Sequence, residues 1–110
     1  MINNLGIDIV ENKRIKIKKE FVIKVLSINE IKTFNTKNKK QKREFLAGRW
    51  AIKEAIIKTL DEPISMNKID IEYINNKPVI KNQELQNILI SISHEKKYAI
   101  GIALKQYNNK

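Results

Sequence analysis

The chain has 110 residues, with 22 Lys and Arg against 12 Asp and Glu, a formal charge of +10, and 42% hydrophobic residues. That length holds one modest core, so one domain over residues 1–110 is expected. There is no cysteine, which excludes disulfides, thiolate metal sites and a cysteine nucleophile; no run reaches the length of a membrane span and no secretory signal opens the chain, so a cytoplasmic protein with no membrane association is expected. The positive charge points to a polyanionic partner: nucleic acid, anionic lipid, an acidic protein or a phosphorylated small molecule. Lys, Ile and Asn are all heavily used, so the placement of charge says more than its total.

Residues 5–10 (LGIDIV) alternate apolar with small or polar side chains and predict a strand. Asp8 lies between Ile7 and Ile9 and points to the opposite face. It reads either as a solvated Asp on an edge strand or as a carboxylate presented to a cation. In residues 11–24 (ENKRIKIKKEFVIK), with Val25 after them, Ile15, Phe21, Val22 and Val25 predict one or two short helical faces. Arg14, Lys16, Lys18, Lys19 and Lys24 are left as a basic surface, either merely solvated or suited to an acidic partner. Ser27 and Glu30 have capping-box spacing and predict a short helix to Phe34. Residues 35–43 (NTKNKKQKR) read as a polar connection or the start of the next helix.

That next helix, residues 45–60 (FLAGRWAIKEAIIKTL), is the centre of the chain. Phe45, Leu46, Trp50, Ile52, Ile56, Ile57 and Leu60 cover a broad apolar arc that contains Arg49 and Lys53. Glu54 and Lys58 stand four apart on another side, beside the small residues Ala47 and Ala51. A simple i,i+4 ion pair accounts for those two charges; so does a ligand site bordered by small residues. Charges this close to a core are costly unless paired or bound. Trp50 reads as packing, and Lys53 as snorkelling or pairing with an acid at an interface.

Asp61, Glu62 and Pro63 end the helix. Strands are predicted over 68–74 (KIDIEYI), from 79 after a turn at Asn75–Pro78, over 88–93 (ILISIS) and over 98–104 (YAIGIAL), the last two joined by a hairpin at 94–97. A turn of helix is expected within 83–87 and a frayed tail over 105–110. Strand, helices, then several strands predict an α+β domain: an antiparallel sheet packed against a helical layer.

Three segments taken together carry a further reading. They are GIDIVE at 6–11, FLAGRWAIKEA at 45–55, and SISH at 91–94 followed by Tyr98 and Ala99. In this order and spacing the chain resembles the holo-acyl-carrier-protein synthase family of 4′-phosphopantetheinyl transferases. The resemblance implies that family's fold and a Mg²⁺-dependent transfer of phosphopantetheine from coenzyme A to a serine of apo acyl carrier protein, leaving adenosine 3′,5′-bisphosphate, in fatty acid synthesis. It implies metal ligands at Asp8 and Glu54, a phosphate-handling cation at Lys58, coenzyme A contacts from Arg49 and His94, and docking of the acidic carrier protein on the first helix, with Arg14 as its leading basic residue. It also implies a homotrimer with active sites between subunits. The chemistry agrees: Mg²⁺ takes one or two carboxylates plus waters and substrate phosphates, and Lys58 stands one turn beyond Glu54. The nucleophile would come from the partner. The base stays open between Asp8, Glu54 and a metal-held water. One departure is plain: where the family carries a glycine-containing loop, this chain reads Asp61-Glu62-Pro63. The alternative function is a non-catalytic basic module that binds an acyl carrier protein or nucleic acid. No nucleic-acid partner is expected, because aromatics are few, no stacking platform is visible and two carboxylates would oppose phosphate.

Overall fold

The structure, a computed structural model, describes residues 1–107. Strand β1 (Ile2–Glu11) leads through a 3₁₀ turn (Asn12–Arg14) to helices α1 (Lys19–Val25), α2 (Ile28–Phe34) and α3 (Lys39–Thr59). A 3₁₀ turn (Met66–Lys68) precedes the hairpin β2 (Ile71–Ile74) and β3 (Lys77–Ile80), and another (Gln83–Leu85) precedes β4 (Ile88–His94) and β5 (Tyr98–Gln106).

Helix ends follow local chemistry. Ser27 and Glu30 close a capping box at α2, with both reciprocal hydrogen bonds present. Asn38 and Gln41 close an equivalent box at α3. Of the two readings of residues 35–43, the helix start holds from Lys39, and α3 begins six residues before Phe45. The cap is Asn and its partner Gln, a polar pair that also suits a loop. Arg14 belongs to the 3₁₀ turn and not to the head of the first helix, which starts at Lys19. The β2–β3 turn is only two residues, Asn75 and Asn76, both at positive φ (53° and 63°), so β3 begins at Lys77. β4 runs through His94, leaving a loop of residues 95–97. Of the expected frayed tail, Lys105 and Gln106 belong to β5, and residues 108–110 lie outside the described residues.

The strands form two sheets. β1, β5 and β4 make an antiparallel sheet in the order β1-β5-β4, and β2 and β3 pair separately. Strand and helix classes match the expected α+β arrangement; the expected single sheet is in fact one sheet and a detached hairpin. α3 lies across the inner face of the three-stranded sheet. At Gly6 the approach is so close that an added Cβ would sit 2.0 Å from the Ala55 carbonyl oxygen, so only glycine fits. One half of the core joins α1, α2 and the first half of α3 around Leu26, Phe34 and Leu46; the other joins the second half of α3 to β2–β4 around Ile52, Ile56 and Ile69.

Alternation along β1 sets the rest. Gly6, Asp8 and Val10 face α3, whereas Leu5, Ile7 and Ile9 face away from it and stay more than half exposed. Ile102 of β5 and Leu89 of β4 lie on the same outward face, also exposed. A soluble monomer seldom leaves so large a contiguous apolar face uncovered.

Candidate active site

Asp8 pairs with Gly101, and Gly101 with Ile92, so Asp8 sits at the outer edge of an inward-facing row. α3 crosses this edge through Ala55 and Lys58, both beside Gly6. Lys58 Nζ donates to the Ile7 carbonyl oxygen at 2.7 Å and lies 3.5 Å from Asp8 Oδ1. The i,i+4 pair between Glu54 and Lys58 does not form: Lys58 turns to the strand, and Glu54, half-buried, has no ion-pair partner among the described residues. The other carboxylate oxygen of Asp8, Oδ2, is buried and has no hydrogen-bond partner. Such an orphan is costly and asks for an occupant. A strand carboxylate with a free, buried oxygen, on the strand face turned to the helix that carries a second carboxylate without an ion-pair partner, offers donors of the kind a hard divalent cation takes. Among the described residues no group of three or more Asp, Glu, His or Cys side chains forms a metal cage. Two carboxylates would therefore leave most positions to water and phosphate.

Arg49 and His94 lie elsewhere. Lys58 lies nine positions after Arg49, which at about 100° per residue puts them on opposite sides of α3. His94, at the end of β4, packs over Gly48, where an added Cβ would sit 2.6 Å from the imidazole Cε1. Both line a cavity of about 980 Å³ together with Phe45, Tyr73, Lys37 and Gln41. The Arg49 guanidinium lies 4.2 Å from the Phe45 ring centroid and 5.4 Å from that of Tyr73. Its own pKa is lowered, first by burial, against the opposing pull of Glu30. His94 is also held below the ordinary imidazole value, chiefly by desolvation, with Arg49 adding to the effect and Glu44 opposing it. Burial thus favours the neutral imidazole in the free protein.

Behind Arg49 is a residue the sequence presents only as a helix cap. Glu30 is buried, and its carboxylate accepts from Arg49 Nε (3.2 Å), Lys53 Nζ (2.5 Å), the Ser27 amide (2.8 Å) and the Ile71 amide (2.9 Å). Lys53 is fully buried and also donates to the Val25 and Met66 carbonyl oxygens. It neither snorkels nor pairs across an interface; its acid is in the same chain. Burial lowers the Lys53 pKa, and Glu30 opposes that shift. The signal available in the sequence was the unmatched pair Arg49 and Lys53 on an apolar arc, which demands an acid somewhere in the fold. Trp50 packs as expected, stacked on Phe21 at 5.3 Å between centroids. Arg14 is exposed on the 3₁₀ turn.

The site residues thus form two clusters on opposite sides of one helix, an Asp8–Lys58 edge with Glu54 and an Arg49–His94 cavity. Known proteins share the fold. A family model for the 4′-phosphopantetheinyl transferase superfamily matches residues 4–103. A holo-[acyl-carrier-protein] synthase of Mycoplasma capricolum is 89% identical over 110 residues, all of both chains, and one of Mycoplasma mycoides is 86% identical over the same span. A holo-(acyl-carrier-protein) synthase crystal structure from Bacillus anthracis, in complex with CoA (3′,5′-ADP), superposes with a TM-score of 0.87 at 31% identity, covering 96% of each chain. The chain belongs to the 4′-phosphopantetheinyl transferase superfamily.

Proposed function

We propose that this chain, as a single domain over residues 1–110, transfers 4′-phosphopantetheine from coenzyme A to a serine of apo acyl carrier protein. The serine oxygen attacks the phosphorus that carries the pantetheine arm. A new P–O bond forms, the pyrophosphate bond breaks, adenosine 3′,5′-bisphosphate leaves, and the serine proton passes to a base at the site. One observation carries the reading: Asp8 Oδ2 is buried and unpartnered beside the Lys58 ammonium. Asp8 and Glu54 would hold Mg²⁺, which when bound supplies positive charge against the pyrophosphate. Lys58 adds a point charge for the same phosphates. In the cavity on the far side of α3, Arg49 and His94 would hold the nucleotide end of coenzyme A. Arg14 and the lysines around α1 would meet the acidic carrier protein, which needs only complementary charge to be steered in.

The split of the site follows from the same reading. A homotrimer packed through the exposed Leu5–Ile7–Ile9 face would set the Asp8 edge of one subunit against the Arg49–His94 cavity of the next. Such an enzyme acts in the cytoplasm, where fatty acid synthesis needs it. Among the described residues no helix is long and apolar enough to cross a membrane.

The test is the intact mass of an apo acyl carrier protein incubated with this chain, coenzyme A and Mg²⁺, beside an EDTA control. A phosphopantetheine-sized gain that EDTA abolishes is expected. No gain, with a cognate carrier and a folded chain, would overturn the proposal and favour a binding protein without catalysis.

A further inference from the structure

A second cavity, of about 580 Å³, lies between the 3₁₀ turn after β1, the first turns of α3 and the β4–β5 loop. Six cations from these three segments line it: Lys13, Lys39, Lys40, Arg43, Lys96 and Lys97. Only two acids oppose them, Glu11 and Glu44, and Glu11 is already engaged by Lys13 at 3.5 Å. The walls are tied together. The Asn12 amide donates to the Lys97 carbonyl oxygen at 2.7 Å, and Asn12 Nδ2 to that of Lys96 at 3.3 Å. One hydrogen-bond donor at this cavity, Arg43 Nε, is buried without a partner. Converging like charges and a buried, unused guanidinium nitrogen are unfavourable unless an anion completes them.

We infer that this cavity is a second anion site, for a compact, multiply charged phosphate compound. The class follows from the lining, which holds no aromatic or aliphatic residue. A nucleobase would find no face to stack on, whereas lysines held as point charges suit any densely charged phosphate. The site is separate from the Arg49–His94 cavity, with which it shares Glu44 alone. It does not depend on the proposed transfer reaction.

Titration calorimetry of the whole chain with inorganic tripolyphosphate tests this, run with and without saturating coenzyme A. One ion per chain is expected, bound equally well in the presence of coenzyme A. Arg43→Gln with Lys96→Gln should weaken binding about tenfold or more. The charge-matched pair Lys68→Gln with Lys77→Gln, both exposed and outside either cavity, should change it less than about twofold. Lys39→Gln with Lys40→Gln gives the same reading should the Arg43 variant fail to fold. Equal weakening by the two pairs would reduce the effect to the diffuse field of a +10 chain and overturn the site. Displacement by coenzyme A, or no binding at all, would overturn it too.

Discussion

At the scale of single residues, the decisive feature is a carboxylate oxygen with nothing to hold. Asp8 has one oxygen near Lys58 and one buried alone. Replacing its companion by Glu54→Gln keeps the shape and removes the charge. Turnover of carrier protein should fall at least about a hundredfold, while the melting temperature stays near that of the parent; full activity would remove Glu54 from the site. His94 gives a second check. Its pKa lies below the ordinary 6.5 because desolvation penalises the cation. A depressed imidazole binds fewer protons folded than unfolded, so its contribution to stability is complete above about pH 6.5 and is lost as pH falls toward the folded value. NMR titration should find the pKa below 6.5 in the free chain and higher once coenzyme A phosphates are nearby; no movement on adding coenzyme A would place His94 away from the ligand. Glu30 is the third. Glu30→Ala leaves a buried Lys53 and Arg49 without their acid and should cost about 3–5 kcal/mol in urea unfolding. A change below about 1 kcal/mol would show the buried ion cluster to be dispensable.

Among the elements, legibility depended on how local the determinant is. The capping box at Ser27 and Glu30, the stop at Pro63 and the alternation in β1 are written within a few residues and appear in the structure as read. The start of α3 stays open in the sequence between connection and helix start, because Asn38 and Gln41, though they form a full capping box, sit in a run of lysines that suits a loop equally well. The site behaves likewise. Asp8 and Lys58 are legible as motif residues, but their contact depends on Gly6 admitting α3 to the sheet, a three-dimensional fact. The second role of Glu30 depends on residues 19, 23 and 41 positions later in the chain, beyond any local pattern. Arg14 ends a 3₁₀ segment rather than leading a helix, yet remains exposed beside the lysines around α1. Arg14→Glu should therefore raise the Michaelis constant for the carrier protein, most strongly at low salt, with little change in kcat. An unchanged constant at low salt would move the docking surface elsewhere.

At the scale of the whole molecule, the proposed homotrimer would account for both the outward sheet face and the divided site. Leu5, Ile7, Ile9, Leu89 and Ile102 are exposed on one side of the sheet, and the two clusters of site residues lie on opposite flanks of α3. Association through that face would cover the first and join the second. Mixed assembly measures this directly. Glu54→Gln and His94→Ala chains, each impaired alone, are unfolded together in equal amounts, refolded and assayed. If each site takes Glu54 from one subunit and His94 from its neighbour, random trimers regain about a quarter of parental activity. If every site is built within one chain, the mixture stays at the average of the two variants, and the shared active site is contradicted.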